Sequence, residues 1–319
     1  MAAKKPQPAP ADLTRVARIP YARRANKTTI EALGRPMAET DGADFFESLP
    51  GFLKAADLKE FIALVAEARR EGRPFHLLLG AHLIKVGLSP ILIDLMRRDI
   101  VTGLSFSGAG VIHDLELAFF GGTSEDVQAG LADGSFGMVA ETGDLFAGAV
   151  ALAAANRVGL GAAVGRFITE RQAPHRALSL FAEAYRLGRP ATVHVGIGTD
   201  IVAQHPNFDG AAVGAASHLD FRILCTVCGE IDSGGAIANI GSAVILPEVF
   251  LKALTVARNL RGGAGRLVTA NFDMIAHYRP AVNVVNRPTA LAGKGFNFVG
   301  HHEVMIPLLA WGLRRACEQ

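Results

Sequence analysis

From Asp44 to Arg70 the apolar residues Phe45, Phe46, Leu49, Phe52, Leu53, Leu58, Phe61, Ile62, Leu64 and Val65 recur at mixed three- and four-residue spacing. That spacing predicts a helix, and Glu71-Gly72-Arg73-Pro74 ends it in a turn. Phe75-His76-Leu77-Leu78-Leu79-Gly80 is a short apolar run stopped by glycine, after which helical spacing resumes through Ile84, Leu88, Ile91, Leu92 and Met96. The same alternation returns from Val101 to Phe106, across Ser107-Gly108-Ala109-Gly110, and on from Val111 to Phe120. Two consecutive strand–helix units imply a parallel sheet. Further strands are expected at Ala191–Val195, at Ala236–Ile240 before a helix over Glu248–Ala257, and at Arg266–Ala270. Apolar strands that end in small-residue loops and alternate with helices describe an α/β, Rossmann-like, doubly wound and mostly parallel sheet. Ligands of such sheets sit outside the carboxyl ends of the strands.

Composition narrows this picture. Half of the 319 residues are apolar, 19% are charged and the mean hydropathy is +0.28, values that favour extensive burial, including burial between copies in a homo-oligomer. A net charge of +2 with no long basic run beyond the first two dozen residues argues against a nucleic-acid partner and for a small molecule. Three cysteines with no secretory signal point to the cytoplasm. Cys225 and Cys228 form a CxxC without a matching ligand pair, so no metal is expected, and both read as buried residues of one helix face. The weakly polar stretch Ala147–Val164 is Ala-rich and contains Asn156, Arg157 and glycines, which suits a buried helix and loop better than a membrane span. Residues 1–20, opening MAAKKPQPAPA, read as a flexible arm, and 21–319 as a single domain.

The candidate chemistry lies in the strand-end loops. Gly80-Ala81-His82 and Ser107-Gly108-Ala109-Gly110 suit the approach of backbone N–H groups to a dinucleotide diphosphate, with a helix N-terminus adding partial positive charge. Neither is a complete GxGxxG, because His113 stands where a third small residue belongs. His113, Asp114 and Glu116 follow in the first turns of a helix, with Glu116 a candidate for a ribose hydroxyl; Asp114 also fits an ordinary helix-start acid. Gly198, Thr199 and Asp200, then His205 and Asp209, follow the third strand; Asp200 also fits a helix cap, and His194 a satisfied core residue. Gly241 and Ser242 follow the fourth strand. Asp273, His277 and Arg279 crowd acid, imidazole and guanidinium into one stretch suited to a substrate carboxylate or phosphate. Lys294-Gly295 and Gly300-His301-His302-Glu303 lead into a terminal apolar helix.

On these segments the chain resembles the deoxyhypusine synthase family. Gly80-Ala81-His82-Leu83-Ile84-Lys85-Val86-Gly87-Leu88 stands where that family has its first nucleotide loop, and Phe106 to Leu115 where it has a threonine, glycines, paired acids and an aspartate. The pattern is matched from Leu79 through Asp126, and with Val195–Asp200 the resemblance spans roughly residues 75–260. It implies a fold that binds NAD, commonly as a homotetramer with sites between subunits. Two departures stand out. The family's imine-forming lysine is missing from Gly241–Glu248, and its paired acids are Ile112 and His113 here. His113-Asp114-Leu115-Glu116 after a glycine loop also looks like the NAD-binding domain of the alternative ornithine cyclodeaminases.

Together these readings lead to an NAD-dependent enzyme that removes hydride from a carbon bearing an amine or hydroxyl. His113, Asp200 and His277 are its candidate acid and base groups. Two alternatives stand beside it: an aminobutyl transferase working through Lys252 or Lys294, and an NAD-binding regulatory or structural protein without turnover.

Overall fold

The computed structural model describes residues 11–26, 28–30, 49 and 51–318. Its centre is a six-stranded parallel sheet of β1 (Phe75–Leu79), β2 (Gly103–Ser107), β3 (Ala191–His194), β4 (Ser233–Ile240), β5 (Arg266–Asp273) and β6 (Gly293–Val299). Their spatial order is β3-β2-β1-β4-β5-β6. The succession reverses between β1 and β4, where loops in a doubly wound sheet diverge and leave a crevice at the carboxyl ends. The doubly wound architecture and the five expected strands are therefore present. β6 is the strand that the sequence pattern does not announce. It lies at the edge, opens on the exposed Lys294, and sends only Phe296 and Phe298 into the core, alternating with Asn297.

The helices that matter below are α1 (Leu53–Arg70), α2 (Ser89–Arg97), α3 (Gly108–Phe120), α4 (Ala140–Asn156), α5 (Leu160–Glu170), α6 (Leu180–Arg186), α7 (Gly210–Ile231), α8 (Ile245–Arg261) and α9 (His302–Glu318). On one face of the sheet, α1 inserts Phe61 among Phe75, Phe272, Phe296 and Phe298, at ring-centroid separations from 5.7 to 6.3 Å. On the other face α7 and α8 bury Leu224, Cys228, Ile231 and Phe250 against Leu78, Ile237 and Leu267. Cys225 is also buried on α7. The helix expected from Asp44 begins at Leu53; residues 44–48 and 50 of that expectation lie outside the described residues. The Ala-rich stretch forms α4 and α5, which meet at a 113° bend after Arg157 turns left-handed at φ 53°. Among the described residues one single helix, α7, is long and apolar enough by composition to cross a membrane, and here it packs along the sheet.

Residues 1–10 of the expected arm lie outside the described residues. The segment after them runs along the end of α3: Ile19 bridges Val139, Thr28–Thr29 pairs antiparallel with Gly122–Thr123, and Tyr21 stacks on Phe120 at 4.0 Å. Its Tyr21 hydroxyl donates to the Gly122 carbonyl at 2.6 Å. This clamp carries Arg24 to the carboxyl edge of the sheet.

Candidate functional site

β2 passes from Ser107 directly into α3, so Gly108, Ala109 and Gly110 form a first helical turn where a loop was expected. Their small size serves packing. A Cβ on Gly110 would overlap the Phe106 ring, and one on Gly108 would overlap the carboxylate of Asp200. Asp200, from the loop after β3, thus lies against the positive end of α3, where the Ala109 N–H favours its charge. Burial outweighs that help and pushes its pKa up to about 6, and Oδ2 has no hydrogen-bond partner.

Two turns along α3, Glu116 is fully buried and saturated. Arg24 donates to both its oxygens at 2.7 and 2.8 Å, Thr142 donates to Oε1 at 2.8 Å, and Thr123 donates to Oε2 at 2.5 Å. His113 Nδ1 lies 2.7 Å from the same Thr123 hydroxyl. A carboxylate only accepts, and a hydroxyl has one hydrogen, which Thr123 gives to Glu116; Nδ1 of His113 must therefore be the donor. Burial holds the His113 pKa down to about 4, so near neutral pH the imidazole is uncharged with its lone pair on Nε2. The Arg24–Glu116–Thr123 chain selects the tautomer of His113. That ring, Asp200, Thr199, Lys85 and Ala109 line a pocket of about 150 Å³ at the carboxyl ends of the strands.

Other candidate residues are placed differently. Asp114 is buried on the far side of α3 and holds the start of α6, accepting from the Ser179 hydroxyl at 2.5 Å and the Leu180 N–H at 2.8 Å. Asp114 and Glu116 are both fully buried and engaged by the protein's own donors, Glu116 at both oxygens by two donors each. His205 is buried with Nε2 on the Gly137 carbonyl at 2.8 Å, and Asp209 caps α7 by accepting from Ala211 and Ala212 at 3.0 Å, so both serve the scaffold. Thr199 turns its hydroxyl onto the Gly196 carbonyl, and Gly198 supplies the left-handed φ of 87° in that loop.

Gly80 and Gly241 meet where β1 and β4 end. The Gly80 N–H donates to Ile240, the Gly241 N–H donates to Phe272, and a Cβ on Gly80 would strike the Gly241 carbonyl. Ser242 accepts from the Leu246 N–H through its hydroxyl. Beyond them lies a second polar group. Asp273 at the end of β5 accepts from the Met274 N–H and stands 4.0 Å from His277 Nε2, while Arg279 leans on Glu248 at 3.4 Å. His82, next to Ala81, joins the halves. Its ring meets His302 edge-on at 5.7 Å, burial, His302 and Lys85 depress its pKa, and Asp273 and Glu303 act against that. His82 also adds to the depression of His113. The loops lie along the carboxyl edge of one sheet, with His113 and Asp200 in the pocket at the β2–β3 end and Asp273 and His277 at the β5 end. Sequence reasoning missed Arg24, Thr123 and Lys85. Arg24 and Thr123 carry no local signal, since a clamp and a two-residue strand bring them in; Lys85 stood one turn after the Gly80 loop and was readable.

No known family pattern matches the sequence, and no curated protein matches it. Solved structures do. The ternary complex of AgrE with ornithine and NAD+ superposes with a TM-score of 0.51 at 12% identity, over 82% of this chain and 33% of that one, so the chain spans about a third of AgrE's length. A conserved LOR/SDH-type protein from Methanococcus maripaludis S2 gives 0.50 at 14% identity over 88% and 74% of the two chains. A protein assigned as a deoxyhypusine synthase from Entamoeba histolytica gives 0.48 at 10% identity over 86% and 96%. The likenesses to AgrE and the LOR/SDH-type protein establish a shared fold.

A phosphate group brought to this pocket would meet the carboxylate of Asp200. The start of α3 is an anion seat, because the protein's own carboxylate stands where a phosphate oxygen would. A diphosphate would have that seat only if Asp200 left it. The N–H groups of Gly80 and Gly241 and both donors of Thr199 are already engaged, so the α3 turn and Lys85 are the groups that would hold it.

Proposed function

We propose that the chain is an NAD-dependent enzyme, related in fold and chemistry to the deoxyhypusine synthase group, that acts on a small amine- or hydroxyl-bearing molecule. The observation that carries this reading is the neutral His113, held with its Nε2 lone pair available beside Asp200 at the carboxyl ends of the sheet. NAD, when bound, supplies the hydride acceptor. His113 Nε2 takes the proton from the substrate's N–H or O–H, and Glu116, reached through the Thr123 hydroxyl, supplies the negative charge that favours the resulting imidazolium. Asp200 orients an ammonium or hydroxyl through its free oxygen once it leaves α3. The ornithine and NAD+ of the AgrE complex agree with an amine substrate and this cofactor. The cytoplasm and a homo-oligomer, with a tetramer favoured, complete the proposal.

Calorimetric titration with oxidised and reduced cofactor tests it: heat is expected for the wild type and tighter binding for Asp200→Asn. No heat with either protein removes the NAD reading. A screen of amines and alcohols that follows cofactor absorbance then tests turnover. His113→Ala is expected to lose at least about 100-fold, the scale of a general base; binding without turnover of anything favours the regulatory alternative. Lys252 pairs with Glu248 on an exposed helix face and Lys294 with Glu60, both away from the pocket, so an aminobutyl-transfer reading is left with Lys85 among the lining residues. Borohydride with spermidine that labels Lys85 favours transfer, and unlabelled protein removes it.

A further inference from the structure

Beneath α7 and α8 the sheet carries a row of polar side chains across three strands. His76 Nε2 on β1 lies 2.8 Å from Ser105 Oγ on β2, which lies 2.7 Å from Thr192 Oγ1 on β3, which lies 2.9 Å from His194 Nε2. All four residues are buried. Burial drives the pKa of His76 down to about 3 and that of His194 to about 4, so both rings are neutral near physiological pH.

Three hydrogen bonds need three hydrogens, and the two hydroxyls supply two. One imidazole must therefore donate from Nε2 and the other must accept there. His76 Nδ1 has no partner and is pressed against Gly103, where a Cβ would clash with it. A buried N–H without an acceptor is the rarer defect, so the lone pair belongs on His76 Nδ1 and the hydrogen on its Nε2. The chain then runs from His76 to His194, whose Nε2 accepts and whose hydrogen sits on Nδ1.

His194 lines an open groove of about 280 Å³ between the loop after β3 and the starts of α7 and α8. Its walls include Val195, Ile197, Val213, Phe221 and Ile245, and no Lys, Arg, Asp or Glu is among its lining residues. The lining Ser217 is already satisfied, accepting from the Val195 N–H at 3.0 Å and donating to the Val193 carbonyl at 2.9 Å. The groove thus offers apolar walls, the ring of Phe221 with the exposed His218 imidazole stacked beside it at 6.4 Å, and the edge of the buried His194 imidazole. We propose that it binds an uncharged planar heteroaromatic ring of the nucleobase class, which stacks on Phe221 and accepts from His194 Nδ1. This site does not depend on the chemistry assigned to the α3 pocket.

The test uses the full chain, ¹⁵N-labelled at histidine, with adenosine as the probe. His76 is expected to be protonated at Nε2 and His194 at Nδ1, with adenosine shifting the His194 Nδ1–H resonance. Thr192→Val, which breaks the chain and frees the His194 tautomer, is expected to weaken adenosine about five-fold, the value of one neutral hydrogen bond. Ile245→Trp, which fills the groove from its rim and leaves the chain intact, is expected to abolish binding, and it carries the test if Thr192→Val does not fold. His194 protonated at Nε2 in the wild type, no response to adenosine, or unchanged affinity in Ile245→Trp overturns the proposal. So does loss of adenosine binding in Asp200→Ala with Ile245→Trp unaffected, because the ring then sits in the α3 pocket.

Discussion

Asp114 and Asp200 are both buried carboxylates laid against the start of a helix, and burial raises both to a pKa of about 6. Asp114 uses both oxygens, on Ser179 and Leu180, and faces the core. Asp200 leaves Oδ2 without a partner and lines a pocket. The two share residue type, pKa and helix-end position, so none of these separates scaffold from site. Hydrogen-bond satisfaction and access to a cavity do.

The comparison can be broken most forcefully at Glu116, the other saturated acid. Glu116→Ala leaves Arg24, whose side chain is 5% exposed, with Glu125 at 3.9 Å as its remaining counter-charge, and is expected to cost about 3 kcal/mol in chemical denaturation. A cost below about 1 kcal/mol would show that Arg24 finds water and that saturation is no mark of scaffold. Asp114→Ala leaves the Ser179 hydroxyl and the Leu180 N–H without their acceptor and is expected to cost about 2–3 kcal/mol. Asp200→Asn removes a poorly satisfied charge and is expected to stay within about 1 kcal/mol of wild type. An equal loss from the last two variants would place Asp200 in the scaffold.

The pH dependence sharpens the same contrast. Asp114 and Asp200 have folded pKa values of about 6, above the ordinary 3.8, so the native state holds their protons more tightly. Their contribution is fully present below about pH 4 and is lost as pH rises through about 6. Asp114→Asn is therefore expected to flatten that decline between pH 4 and 7 in thermal melts. His76, His113 and His194 act in the opposite sense: their contribution is present above about pH 6.5 and is lost as pH falls toward their depressed values. A wild-type-minus-variant difference that stays constant with pH would count against the raised Asp114 value. The smallest effect is expected at Lys252, whose pairing with Glu248 lies on the exposed side of α8. Lys252→Met should change stability by no more than about 0.5 kcal/mol and leave cofactor binding unaltered.

The parallel sheet was legible because apolar runs such as Leu77–Leu79 and Val193–Val195 are interrupted by glycine and alternate with helical spacing. β6 was hidden because an edge strand needs only every second residue buried, and Lys294-Gly295 masked the alternation of Phe296 and Phe298. His113 and Asp200 were visible as unusual residues beside glycines, and the pocket holds both. Asp114 and His205 carried the same local signal and serve the scaffold, since proximity to a glycine says nothing about which side of a helix a residue faces.

Local order along this chain set the period of each element, the strand ends and the glycines that close backbone approach requires, because those follow from steric and hydrophobic rules acting over a few residues. Partnership was decided by the fold. Arg24 reaches Glu116 across 92 residues, Thr123 chooses the tautomer of His113, and Asp200 meets the first turn of a helix from another strand. Charge, protonation and hydrogen-bond satisfaction depend on distances that only packing creates, and so the chemistry of the crevice belongs to the tertiary structure.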